Sequence, residues 1–227
     1  MKLGINKETV GSLVAVVLVA AGGWYAFAHR GPAGTGGLAA AGAADTVAIV
    51  NGEKILRSEL ALAEAQLAGQ QGATTTEAKA AVEKQALDSV IGRTLLLQAA
   101  TQAGFTASTT AVDAQIAAAK TQLGGQDGLD KQLATQGMTE DSLRVQISEN
   151  LAIQAYLEQT LKLSALTATD AEVKATYDQV SSGQSGIPAL SEVKEQVKQL
   201  VLQQKQQALI GGQVEKLRTA GSIQVLI

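Results

Sequence analysis

Across 227 residues only two prolines, Pro32 and Pro188, stand in the way of helix. Proline removes a backbone donor and clashes with the preceding turn, so a chain nearly free of it can run long helices without a break. Outside its Gly-rich stretches the sequence is dominated by Ala, Gln, Leu, Glu and Lys, residues that enter a helix at little cost. Hydrophobic residues make up 46% of the chain but aromatic ones only 3%, so Ala, Leu, Val and Ile must build the core. Such a core is shallow per residue, because aromatic side chains bring the largest buried areas. The expected fold class is mostly α.

Two absences narrow the chemistry. There are no cysteines, which removes disulfides, thiolate metal sites, cysteine nucleophiles and a lipid-modified N-terminal cysteine. The single histidine, His29, argues against imidazole catalysis and His-clustered metal sites. No cofactor is expected. The formal charge is -3; without residues 1–44, which hold Lys2, Lys7, Arg30 and Glu8, 15 basic residues face 20 acidic ones. A net acidic body without a basic cluster argues against nucleic acid as a partner.

Val10 to Ala28 is a run of 19 residues without a charge. As a helix it spans about 28 Å, close to the hydrocarbon thickness of a bilayer. Lys2 and Lys7 precede it, and after Arg30 no charge appears until Asp45, a bias that favours a cytoplasmic N-terminus. Trp24, Tyr25 and Phe27 cluster at its far end, where an interfacial belt sits. The expectation is a cytoplasmic tail at 1–9, a membrane anchor at 10–28 and a body outside an inner membrane. The alternative is a cleaved signal peptide and a soluble periplasmic body, since Ala26-Phe27-Ala28 and Ala41-Gly42-Ala43 both fit small-x-small cleavage. The apolar run is longer than the ~7–15 residues of a signal core, which favours the anchor. Residues 29–45 read as a flexible Gly/Ala linker. Its Gly34-x-Gly36-x-x-Ala39 matches a dinucleotide fingerprint but lacks the strand and helix that such a site needs.

In the body, 46–227, Thr46 to Leu56 offers two apolar pieces around Asn51-Gly52, a strong hairpin signal. Ser58 then caps a helix over about 59–69. A helix from Glu77 to Ala103 ends at Gly104, with Phe105 placed to pack back on its last turn. Thr110 with Asp113 resembles a capping box for a helix to Leu123, stopped by Gly124-Gly125. A short helix over about 128–136 follows. Thr139 caps a long helix with Glu140 and Asp141 in its first turn, and Thr169 with Glu172 opens another to about Gln179. A last long helix starts at Ser191, with Gly211-Gly212 as a point of kinking or breakage. Ser222 to Ile227 is rich in strand formers and too short to stand alone, so it should pair with the hairpin at the other end of the body.

That order of parts resembles the N-terminal chaperone domain of SurA, PpiD and PrsA type foldases. The residues that carry the resemblance are VAIVNGEKILRSEL (47–60), ALDSVIGRTLLLQAATQAGF (86–105) and GMTEDSLRVQI (137–147). To these add TATDAEVKATYDQ (167–179) and LSEVKEQVKQLVLQQKQQ (190–207) with its closing strand. The resemblance implies a SurA N-terminal, trigger-factor-like helical domain, a periplasmic location and binding of unfolded or secreted polypeptides. Such foldases carry a parvulin isomerase domain between the helix ending near Tyr177-Asp178 and the helix starting near Ser191. Here Asp178 to Leu190 holds thirteen residues, where a domain needs about 50 or more. Parvulin sites use histidines, and this body has none. Isomerase activity is therefore not expected to carry over.

The implied mechanism is ATP-independent holding. Long helices poor in aromatics cannot seal every apolar face, and an extended peptide could lie in what remains. Each side chain so buried contributes about 1.5–3 kcal/mol before ordering costs. Candidate peptide contacts are Phe105, Met138, Tyr156 and Tyr177, although a Met or aromatic residue on a helix is more often plain core. Glu140 and Asp141 read as helix-dipole partners rather than catalysts, and Gln203–Gln207 as a solvated face. A dedicated assembly or export subunit of a secretion or exopolysaccharide system is the second reading, and a prolyl isomerase the third. Oligomeric state is not legible.

Overall fold

A computed structural model describes residues 45–71, 75–135, 138–182 and 188–227, with 69–71 described in backbone only. The candidate anchor at 10–28 and the linker up to Ala44 lie outside the described residues. Among those described, no helix is long and apolar enough to cross a membrane.

Strands β1 (Thr46–Val50) and β2 (Glu53–Leu56) form the expected hairpin. Asn51 at φ 50° and Gly52 at φ 88° occupy its two turn positions, both left-handed, as a tight hairpin of right-twisted strands demands. Seven helices follow among the described residues: α1 (Arg57–Gln71), α2 (Thr76–Gln102), α3 (Thr109–Gln122), α4 (Gln126–Thr135), α5 (Glu140–Leu161), α6 (Asp170–Ser181) and α7 (Leu190–Ala220). Strand β3 (Ile223–Val225) closes the chain against β1, giving a three-stranded antiparallel sheet of order β2-β1-β3. Ala48, Ile49 and Val50 face Val225, Gln224 and Ile223, so both ends of the body meet in one sheet.

Several helix ends follow from local chemistry. Thr139 and Ser142 form a reciprocal capping box on α5, and Thr169 and Glu172 form one on α6. After α2, Gly104 at φ 78° lets the Phe105 N–H reach the Ala100 carbonyl at 2.9 Å. Three expectations need correction. The cap of α3 is Ser108, whose Oγ accepts from the Ala111 N–H, because the helix starts at Thr109, two residues earlier than a Thr110 cap allows. Asp113 instead pairs with Arg144. The start of α1 is served by Glu59, which accepts from the Leu56 N–H at 2.8 Å, and Ser58 falls inside the first turn.

The third correction concerns Gly211-Gly212, which does not break α7; the helix runs 31 residues through them. Two glycines cost about 1 kcal/mol each relative to alanine. Ile210, Val214 and Leu217 on either side pack into the core, and that burial overrides the propensity.

Three apolar clusters hold the helices. Val47, Val50 and Ile55 of the sheet pack on Leu60 of α1 and on Leu87, Val90 and Ile91 of α2. A second cluster joins Val112 and Ile116, Leu129 and Leu133, and Leu143 and Ile147. The third joins Leu96 and Ala100 to Ile153 and Leu157, with Ile210 and Val214 against them. Leu217 touches the first and third clusters, so α7 ties the sheet to the helical end.

Candidate functional site

The structure sorts the four candidate contacts into three places. Phe105 and Tyr156 come together: the Gly104 cap swings the Phe105 ring across to α5, where it meets Tyr156 edge-to-face at 6.0 Å and 71°. The Tyr156 hydroxyl accepts from Gln213 Nε2 at 2.7 Å, so α2, α5 and α7 converge on one aromatic pair. Tyr156 is buried and Phe105 half-buried, so of the pair Phe105 is the one that reaches the surface. Met138 is buried elsewhere, in the cluster of α3, α4 and α5. Tyr177 stands at the far tip of the α6–α7 pair and donates to the Pro188 carbonyl at 2.8 Å. That bond draws the two helices together across residues 182–189.

The α6–α7 pair is laced by charge. Lys205 of α7 reaches Glu172 at 2.6 Å and the Thr167 carbonyl at 2.9 Å, and Lys194 reaches Asp170. The Lys205 ammonium and the Thr169 N–H hold the Glu172 carboxyl down at about 2. The N-terminal part of α7 has Val193, Val197 and Leu200 half-buried and only Val201 fully buried.

Glu59 is an acid perturbed in the opposite sense. It is 4% exposed at the junction of β2 and α1, and burial, with Glu53 and Glu149 nearby, pushes its carboxyl from 4.5 to about 7. The N–H of Leu56 opposes that rise without cancelling it. Glu149 is itself tied to Arg93 at 3.0 Å. Among the described residues no three His, Asp or Glu side chains converge on a point that could hold a metal ion.

The unsealed apolar surface expected of such helices lies at positions that the sequence does not mark. Apolar side chains remain exposed at Leu62, Leu123, Val180 and Leu209, and along Val225, Leu226 and Ile227 beside the sheet edge. An open groove of about 580 Å³ lies between α1 and α2, lined by Ala61, Ala65, Ala68, Ala80, Val82 and the carboxylates of Glu64 and Glu83. Alanines at 61, 65 and 68 share one helix face, a spacing that could have marked it.

No curated protein matches this sequence. A solved structure from Campylobacter jejuni, from work describing the virulence factor PEB4 and the periplasmic protein Cj1289 as structurally related SurA-like chaperones, shares the fold. It matches with TM-score 0.52 at 13% identity, over 80% of this chain and 98% of that chain. A family model described as the SurA-like N-terminal domain matches residues 5–157, from before the apolar run to the heart of α5. The chain thus belongs to the SurA-like N-terminal domain family and is a SurA-type chaperone domain.

Proposed function

We propose that this protein is an extracytoplasmic, ATP-independent holdase that binds unfolded or extended polypeptides and has no prolyl isomerase activity. The observation that carries this reading is the closure of the body. With β3 paired to β1 and Tyr177 joined to Pro188, only residues 182–189 separate α6 from α7. A catalytic domain needs about 50 residues or more. What remains for function is helical surface, including exposed Leu62, Val180 and Leu209 and the half-buried rings of Phe105 and Tyr177. Tyr156 supports the Phe105 ring from beneath, and Met138 belongs to the core of the second cluster.

The charge-free run at 10–28 supports a retained inner-membrane anchor that tethers the body through residues 29–45. A tether places a weak binder close to chains as they emerge and raises its effective concentration.

The test is light scattering of several unrelated denatured proteins diluted into the full chain without nucleotide, beside a protease-coupled prolyl-peptide assay. Suppressed aggregation of all clients with no prolyl turnover is the expected result. Suppression of one client alone points to a dedicated assembly subunit, and measurable turnover overturns the non-enzymatic reading.

A further inference from the structure

We infer that the outer edge of β3 binds an extended apolar stretch of a client polypeptide, which adds there as a fourth strand through its main chain. This rests on the holding function proposed above and gives one part of the surface its mode of recognition. The strand order β2-β1-β3 puts β3 at the side of the sheet, with no strand beyond it among the described residues. The Ser222 carbonyl and the Leu226 N–H are turned to β1, and Gln224 between them faces Ile49. Main-chain groups alternate in direction along an antiparallel strand, so the N–H and C=O of Ile223 and Val225 point away from β1. Such a row is a template for another extended chain.

Edge strands are ordinarily guarded against such pairing by lysine, proline, a bulge or a covering element. Ser222–Ile227 (SIQVLI) carries no charged residue and no proline. Val225 and Leu226 are 51% and 53% exposed, one on each face of the sheet. Val225 shares its face with Val50 and Ala48, which are fully buried, so the core runs out under Val225 and leaves an apolar shelf beside the edge. The shelf takes alternate side chains of an added strand and favours uncharged ones. A second copy of this chain is the weaker occupant. Pairing β3 with another β3 sets three residues against three, far short of the roughly 20–30 a side of a stable interface. An unfolded client needs only weak, reversible contact at each site.

The test is fluorescence anisotropy of the full chain with a short labelled peptide of alternating Val and Ser. Val225→Pro removes the outward N–H and leaves the bonds to β1 in place, since an edge strand tolerates proline where its N–H faces solvent. It should weaken binding about tenfold, the size of one main-chain hydrogen bond. Val225→Thr keeps the N–H and the branched shape and should stay close to the parent. The reverse order, with proline the better binder, marks an apolar patch without strand pairing and overturns the inference. In the parent chain, saturating peptide should slow amide exchange of Ile223 and Val225 about tenfold, a measurement that stands whether or not Val225→Pro folds. Unchanged exchange at both amides, with aggregation suppression intact, overturns the edge site alone. Slowing that grows with protein concentration in the absence of peptide also overturns it, since a second copy is then the occupant. A full chain that binds no peptide and suppresses no aggregation overturns the holding function, and the edge site with it.

Discussion

Asn51 and Ser222 stand 171 positions apart in the chain and are joined by a reciprocal pair of hydrogen bonds. The Asn51 N–H donates to the Ser222 carbonyl at 2.8 Å, and the Ser222 N–H donates to Asn51 Oδ1 at 2.8 Å. Asn51 Nδ2 also reaches Gln98 Oε1 on α2, whose amide nitrogen returns to the Val50 carbonyl and to Glu53. One turn residue therefore clasps the hairpin, the C-terminal strand and Gln98 of α2. Gly221 is part of the clasp, since a Cβ there would stand 3.0 Å from Asn51 Oδ1.

Replacing Asn51 by glycine keeps the positive φ that the turn requires and deletes only the side-chain bonds. Asn51→Gly should lower stability by about 2 kcal/mol, from about 1 kcal/mol for each of two lost bonds. Urea unfolding monitored by circular dichroism checks it, with the slope of the transition unchanged.

Tyr156 separates a packing role from a polar one. Tyr156→Phe removes the bond from Gln213 and should cost about 1 kcal/mol, whereas Tyr156→Ala empties the centre of the third cluster and should cost about 3–5 kcal/mol. Thermal unfolding of both variants measures the difference. A Tyr156→Ala protein as stable as the parent would show that the ring is not core.

The pH dependence of stability follows from Glu59. Its folded-state pKa of about 7 lies above the ordinary 4.5, so between these values the folded chain holds a proton that the unfolded chain has released. Stability then falls as pH rises from about 4.5 through about 7, the reverse of a salt-bridged carboxylate. Solvent near this junction screens part of the effect, which leaves about 1–3 kcal/mol. Below that window Glu172, Glu140 and Asp170, all held low by basic or amide partners, lose their pairing as they are protonated. Melting temperature should therefore peak near pH 5, and Glu59→Gln should flatten the decline above it.

Glycines on α7 and α2 should respond in opposite senses. Gly211 and Gly212 are exposed and open, so alanine at either should stabilise by about 0.5–1 kcal/mol through helix propensity. Gly92 is buried, and a Cβ there would meet Val214 of α7 at 3.3 Å. Gly92→Leu should destabilise by about 1–3 kcal/mol by forcing α2 and α7 apart. Calorimetry of the three variants tests the pair of signs.

The hairpin, the caps at Thr139 and Thr169 and the pairing of the two chain ends were legible because each depends on local chemistry or on a strand that cannot stand alone. The continuity of α7 was not legible, because it depends on Ile210 and Val214 meeting residues of α2 and α5 far away in sequence. The same holds for Glu59, which reads as an ordinary first-turn acid until three elements close over it. Of the candidate contacts, the sequence marked Phe105 and Tyr156 as aromatic without showing that they stack on one another. The groove at Glu64 was hidden because alanine signals helix and says nothing of the space it leaves.

Closure of the body by its two ends underlies everything else, and native-state amide hydrogen exchange tests it most directly. The Leu226 N–H, bonded to the Val47 carbonyl, and the Asn51 N–H, bonded to Ser222, should open with the same free energy as Ile91 in the core of α2. All three should fall together in Asn51→Gly. Exchange of Leu226 and Asn51 at unprotected rates, while Ile91 stays protected, would contradict a single unit closed by β3.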